Sequence, residues 1–164
     1  MRETSHLDTL ALARAIDAVP IALMSRRLVE AGLPSWAWTA RRVARQIHNP
    51  ESVVLAARRG DELTGFAIMG FGEESAHLNL LAVESRCRRV GLGTRLVRWL
   101  EATAMVAGTF EVSLEVRASN AAARRFYRQL GYREAERLPG YYERIEDAVR
   151  MVRDLRVVRI DQAS

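Results

Sequence analysis

The feature that most constrains this chain is a strand, a glycine-bearing arginine loop and a helix in immediate succession, followed by a second strand and helix. His77 to Val83 is almost continuously apolar, the composition of a strand covered on both faces. Glu84 to Val90 is polar and arginine-rich, and it leads into Gly91-Leu92-Gly93-Thr94. From Thr94 to Ala107 the apolar positions Leu96, Val97, Leu100, Ala104 and Ala107 recur at helical spacing, and Gly108 supplies a stop. Glu111 to Arg117 then alternates strictly. Val112, Leu114 and Val116 face one way, and Glu111, Ser113, Glu115 and Arg117 the other. Ser119-Asn120 can cap a helix from Ala121 to Leu130, closed by Gly131. Two strand-to-helix steps in a row call for a sheet with helices laid on it, an α/β (α+β) fold.

Upstream, Asp17 to Ala31 reads as an amphipathic helix. Pro20 is tolerated in its first turn, Leu23 and Leu28 contribute to an apolar face, and Gly32-Leu33-Pro34 stops it. A second helix is expected over Ser35 to Ile47, ending before His48-Asn49-Pro50. Ser52 to Arg58 and Leu63 to Phe71 read as strands about the turn Arg59-Gly60-Asp61, and with His77 to Val83 they form a meander. Tyr132 to Val158 reads as two further strands around Leu138-Pro139-Gly140. The chain has 164 residues, 49% of them hydrophobic, and no stretch of linker composition. Residues 1–164 are therefore read as one domain.

The net charge is +5, and every one of the 25 strongly basic residues is arginine. Arginine forks suit phosphate and carboxylate, so an anionic ligand or partner fits. The arginines are spread among acids, apart from a knot at Arg86, Arg88 and Arg89, which makes nucleic-acid binding the weaker explanation. No apolar run reaches the length of a membrane span, and the first residues are polar, without the apolar core of a signal peptide. The expected compartment is the cytoplasm, with no membrane partner. A single cysteine, Cys87, rules out an intrachain disulfide. His6, His48 and His77 share no spacing with one another or with Cys87 that would hold a metal, and none is assigned.

The arginine loop carries the chemistry. Glycines let backbone N–H groups approach a bulky anion. At the start of a helix those N–H groups lack partners, and the positive end of the helix dipole favours phosphate. Arg88 and Arg89 add charge beside them. The spacing is neither that of a P-loop nor that of a dinucleotide fold. Taken alone, two glycines in a loop fit an ordinary strand-to-helix turn equally well.

The R-x-x-G-x-G run from Arg88 to Gly93 resembles the acetyl-CoA signature of the GNAT superfamily of N-acetyltransferases. Leu114 to Ala123, with Tyr127 and Leu130-Gly131-Tyr132, closely resembles the bacterial ribosomal-protein alanine N-acetyltransferases within it. Weaker similarity runs from Asp17-Ala18-Val19-Pro20-Ile21 through Trp36 to Tyr141-Tyr142 and Glu146-Asp147-Ala148-Val149. The resemblance implies a central mixed, mostly antiparallel twisted sheet of six to seven strands flanked by about four helices. It also implies acetyl-CoA as cofactor. The main chain of Leu81, Ala82 and Val83 would receive the pantetheine arm, and Arg88, Arg89, Val90, Gly91, Leu92, Gly93 and Thr94 would wrap the pyrophosphate. Asn120 would bond near the thiol end, Tyr127 would act as general acid for the departing thiolate, and Glu115 as general base. Tyr141 and Tyr142 would line the acceptor groove, with Trp36 counted among the acceptor-site residues. Apart from the resemblance, the acidic pair Glu73-Glu74, near the expected mouth of the site, would attract a cationic small-amine acceptor.

Each residue also has a plainer reading. Tyr127 serves as a packing residue, Glu115 as an arginine partner, Asn120 as a helix cap, and both tyrosines as packing. Val90 stands where many relatives carry a polar or basic residue, and Cys87 where an aromatic is frequent; a loop that works through its main chain tolerates both. The leading expectation is transfer of acetyl to a protein N-terminal amine. Alternatives are transfer to a small amine (polyamine, amino acid or aminoglycoside) and a non-catalytic acyl-CoA- or RNA-binding module. The acting unit is expected to be a monomer or a homodimer.

Overall fold

The computed structural model describes residues 7–157. In chain order its elements are β1 (Thr9–Leu12), α1 (Ala18–Leu28), α2 (Ala40–His48), β2 (Ser52–Arg59), β3 (Glu62–Phe71), β4 (Ser75–Val83), α3 (Leu92–Val106), β5 (Glu111–Arg117), α4 (Ala121–Leu130), β6 (Arg133–Tyr142) and β7 (Glu146–Asp154). The seven strands form one sheet in the order β1-β2-β3-β4-β5-β7-β6. β4 and β5 pair in parallel, whereas β1–β2, β2–β3, β5–β7 and β6–β7 are antiparallel. This is the mixed, mostly antiparallel sheet with four α-helices that the resemblance implies. The chain divides into two compact units, the first up to Gly70 with Asn79–Leu100, the second Phe71–Leu78 with the chain from Glu101 on.

In the first unit, Ile21, Ala22 and Met24 of α1 and Val43 of α2 pack on Val54, Phe66, Ile68, Leu80 and Ala82 of the strands. The α1 positions follow one helical face. Each fully buried large apolar side chain contributes about 1.5–3 kcal/mol, so this face holds the helix pair on the sheet. Both helices are shorter than the sequence pattern predicts. α1 stops at Leu28 and α2 starts at Ala40. The cause is the buried Glu30, whose Oε1 accepts the N–H groups of Ala37 (2.7 Å) and Trp38 (3.1 Å) while Ser25 Oγ donates to Oε2 (3.0 Å). That clamp keeps the main chain before Thr39 out of the helix. Thr39 then becomes the N-cap, its side chain accepting from Arg42 N.

β4 also differs from expectation. Ala76, Leu78, Leu80 and Ala82 are buried, but His77, Leu81 and Val83 are half-buried and Asn79 is exposed. His77 and Asn79 occupy one face, so that face is only partly covered. β1, a four-residue strand, carries no sequence signal of its own.

In the second unit, β5 alternates as its sequence predicts, and Glu115 stands opposite Arg150 on β7. β6 runs straight through Leu138-Pro139-Gly140, which the sequence pattern places in a turn. Its register slips between Leu138 and Tyr142, with Gly140 at φ +61°, and the chain reverses at Glu143 and Arg144, whose φ values are +51° and +63°. β6 is the outer strand of the sheet, where a proline at an irregularity removes no ladder bond. Among the described residues no helix is long and apolar enough to cross a membrane.

Candidate functional site

The loop after β4 is pinned at its start. Glu84 N–H donates to Thr64 O (2.8 Å), and the Arg27 guanidinium forks onto the Glu84 carboxylate, holding that carboxyl below its usual range. A single turn, Ser85–Cys87, buries Cys87 beneath the loop. Beyond it Arg89 adopts φ +67° and Gly91 φ +80°. Gly91 is required there by its backbone angle and not by crowding, since a Cβ on it would meet nothing within 4 Å. The bond from Arg95 N–H to Gly91 O (3.0 Å) opens α3. Among the described residues no hydrogen bond of good geometry engages the N–H groups from Arg89 to Thr94, although Arg88 to Gly91 form a turn with weaker internal main-chain contacts. Six successive main-chain donors at a helix start, flanked by exposed Arg88 and Arg89, are a donor set that fits a diphosphate.

Of the strand residues expected beside this loop, Ala82 is buried, its carbonyl turned toward Gly65. Val83 O already accepts Arg88 Nε (3.1 Å), so that carbonyl is engaged by the chain itself. The parallel register of β4 with β5 covers Ser75–His77 only. Trp36, in the same unit, packs half-buried against the core with the Arg26 guanidinium 4.9 Å above its ring. Its Nε1 is buried without a partner among the described residues.

The second unit gathers Glu115, Tyr127, Tyr141 and Tyr142. The Glu115 side chain is only 8% exposed, and both of its oxygens are taken. Oε1 accepts from Arg150 Nε at 3.2 Å, and Oε2 lies 2.6 Å from His77 Nε2. His77 Nε2 is buried and approaches off the line of a well-formed N–H bond, so the two groups are in close polar contact without a hydrogen bond of good geometry. Arg150 also reaches Glu136 through Nη1 (3.2 Å).

The Tyr127 phenol is raised well above its ordinary value by burial and by the neighbouring Tyr142. Burial, Tyr141 and the Glu115 carboxylate raise that of Tyr142 in turn. Tyr127 is wedged edge-on between Phe126 (5.0 Å between centroids) and Tyr132 (5.6 Å), and its hydroxyl bonds to no described residue. Tyr132 is held from behind by its hydroxyl on Glu101, which also pairs with Arg153. Asn120 does cap α4, with Oδ1 accepting Ala123 N–H at 3.0 Å. Tyr141 is half-exposed, edge-on to Tyr142.

Glu73 and Glu74 are not brought to this cluster. They sit exposed in the β3–β4 turn, next to Ser75, which is level with Glu111. At about 3.3 Å per residue, Glu115 lies roughly 13 Å further along the strand direction. The residues that sequence reasoning missed are His77 and Arg150. Their contact with Glu115 depends on the sheet's strand order, which no local pattern reports. No group of three His, Cys, Asp or Glu side chains among the described residues is arranged to hold a metal ion.

Residues 23–132 match the model of the Acetyltransferase (GNAT) family, a stretch that holds the amide-lined loop, Glu115, Asn120 and Tyr127. The chain belongs to that family. A GNAT relative, an uncharacterized N-acetyltransferase of Methanocaldococcus jannaschii, is 40% identical over 92 residues, 56% of this chain and 59% of that one. An N-alpha-acetyltransferase of Sulfurisphaera tokodaii is 39% identical over 83 residues, 50% of each chain. The chain spans about half the length of the curated GNAT relatives it matches. Among solved GNAT structures, the ribosomal-protein-S18-alanine N-acetyltransferase from Escherichia coli superposes with a TM-score of 0.79 at 25% identity, covering 96% of this chain and 100% of that one.

Proposed function

We propose that this chain is an acetyl-CoA-dependent N-acetyltransferase whose acceptor is the N-terminal α-amine of a protein. The carrying observation is the run of N–H groups without a well-formed hydrogen bond from Arg89 to Thr94 at the start of α3, in a chain of the GNAT family. The names of its relatives, an N-alpha-acetyltransferase and a ribosomal-protein alanine N-acetyltransferase, support the choice of acceptor.

Acetyl-CoA supplies the acetyl group as a thioester. The amides from Arg89 to Thr94 hold its diphosphate, with Arg88 and Arg89 adding charge; Leu81 and the N–H of Val83 receive the pantetheine arm, and the Asn120 amide nitrogen bonds near its thiol end. An α-ammonium must lose a proton before it can attack, and with an ordinary pKa of about 7.7–8.0 it needs only light assistance. The polar centre built around Glu115 takes that proton. Tyr127, which burial keeps protonated, gives its hydroxyl proton to the departing sulfur. Tyr141 and Tyr142 flank the acceptor. The remainder is positioning of two reactants. On this reading residues 1–164 act as one catalytic domain in the cytoplasm, as a monomer or a homodimer.

The test is thiol release from acetyl-CoA with an alanine-starting ribosomal peptide, run beside a panel of polyamines, amino acids and aminoglycosides. Turnover confined to the peptide is expected. Silence toward it with intact acetyl-CoA binding rejects the acceptor, and turnover of compact amines alone replaces it.

A further inference from the structure

We propose that His77 is the group that takes the proton from the acceptor ammonium, and that Glu115 is its positioning residue. The inference rests on the acetyl-transfer reading and deepens it. Glu115 is poorly placed to accept a proton from outside. Its side chain is 8% exposed, Arg150 Nε holds Oε1, and Oε2 is spent on His77. The histidine is open where the carboxylate is closed. Its side chain is 35% exposed although Nε2 is buried against Glu115, so the accessible part of the ring lies away from that nitrogen. At 2.6 Å a bare ring nitrogen and a carboxylate oxygen would set lone pair against lone pair, so Nε2 is the nitrogen that carries the ring's proton even though its approach is off the line of a well-formed bond. In a neutral ring that leaves the lone pair on Nδ1. Among the described residues no hydrogen bond uses Nδ1.

The surroundings suit that role. Facing the imidazole are Glu115 from β5 and, through it, Arg150 from β7 and Glu136 from β6, while Tyr141 and Tyr142 at the end of β6 share the field of Glu115. Arg150 pins one carboxylate oxygen and so fixes the other against the ring. It is the logic by which a buried carboxylate selects the tautomer of a catalytic histidine. His77 Nδ1 removes one proton from R–NH3+, and the freed lone pair forms the C–N bond as the C–S bond breaks. Tyr127 protonates the sulfur, and the second proton lost by nitrogen restores the phenol. The imidazolium returns its proton to water.

The experiment compares the full-length protein with His77→Gln, whose amide can still reach Glu115 as Nε2 does but cannot act as a base. Without a proton acceptor, the rate at subsaturating peptide follows the unprotonated amine. At pH 6.5 that is about one-twentieth of the total for an ordinary α-amine. Expected is a variant within about threefold of the parent at pH 9 and about tenfold or more below it at pH 6.5, with unchanged acetyl-CoA binding. A deficit that is the same at both pH values, or none, overturns the proposal. Independently of turnover, nitrogen-15 shifts of His77 should report the Nε2–H tautomer, and Glu115→Gln should abolish that bias; an Nδ1–H tautomer in the parent protein also overturns it. Absence of thiol release by the parent with every α-amine would instead reject the acetyl-transfer reading and leave the tautomer measurement standing.

Discussion

Gly65 offers a quantitative test of how the first unit is built. It lies on β3, opposite Ala57 of β2. A Cβ at this position would stand 2.9 Å from the Ala82 carbonyl oxygen and 3.4 Å from Leu96 Cδ1 and Val83 Cγ2. The leucine and valine can turn, but the carbonyl is main chain of β4. A carbon–oxygen contact settles at about 3.3 Å or more, so Gly65→Ala must displace β4 by about 0.4 Å. Overpacking of this kind costs about 1–3 kcal/mol, and the reduced freedom of the unfolded chain returns about 0.4–1 kcal/mol. The net loss of about 1–2 kcal/mol corresponds to a fall in Tm of roughly 2–8 °C for a chain of this size. Because Ala82 lies just before the amide-lined loop, affinity for coenzyme A should fall as well. Calorimetric melting and titration with coenzyme A measure both. Gly70→Ala on the same strand is the control, since its Cβ would meet only the Asn79 side-chain nitrogen at 3.4 Å, and its Tm should barely move. A Gly65→Ala protein that melts at or above the parent temperature refutes the reasoning.

Tyr127→Phe should lower kcat by about 10²-fold or more while leaving acetyl-CoA binding intact. Burial raises this phenol above its ordinary value, so it holds its proton through the working range and the deficit should be the same at pH 7 and pH 9 in steady-state assays. Glu30→Ala removes the acceptor of the Ala37 and Trp38 N–H groups and should cost about 1–3 kcal/mol, read by urea denaturation. The Arg156 guanidinium and main-chain N–H hold the Asp154 carboxyl down to about 2. Its contribution to stability is present above the ordinary carboxylate range and lost as pH falls toward 2. The stability difference between the parent and Asp154→Asn should therefore be constant above about pH 5 and shrink below pH 4.

α3, β5 and α4 were legible in the sequence because each bears its own signal. The apolar positions from Leu96 to Leu100, the alternation of Val112, Leu114 and Val116, and the Asn120 and Gly131 ends are all local. What escaped was set at a distance. The carboxylate of Glu30 pulls Ala37 and Trp38 out of a helix that their own pattern would continue. Pro139-Gly140 reads as a turn, yet an outer strand absorbs it as an irregularity, and the reversal falls to Glu143 and Arg144, which carry no turn signature. The amide-lined loop could be placed from Gly91 and Gly93. The grouping of Glu115 with Tyr127, Tyr141 and Tyr142 followed only from resemblance, and its tie to His77 and Arg150 arises from which strands become neighbours.

α4 is fastened at both ends. Asn120 closes its first turn, and Gly131, at φ +103°, lets Tyr132 N–H return to Tyr127 O. The phenol is thus mounted on a short rigid strut, and its aim is settled when the protein folds, before any reactant arrives. A loosened strut would leave the proposed acid chemically unchanged but searching for its direction at every turnover. Its signature would be a more negative activation entropy, visible as an altered temperature dependence of kcat.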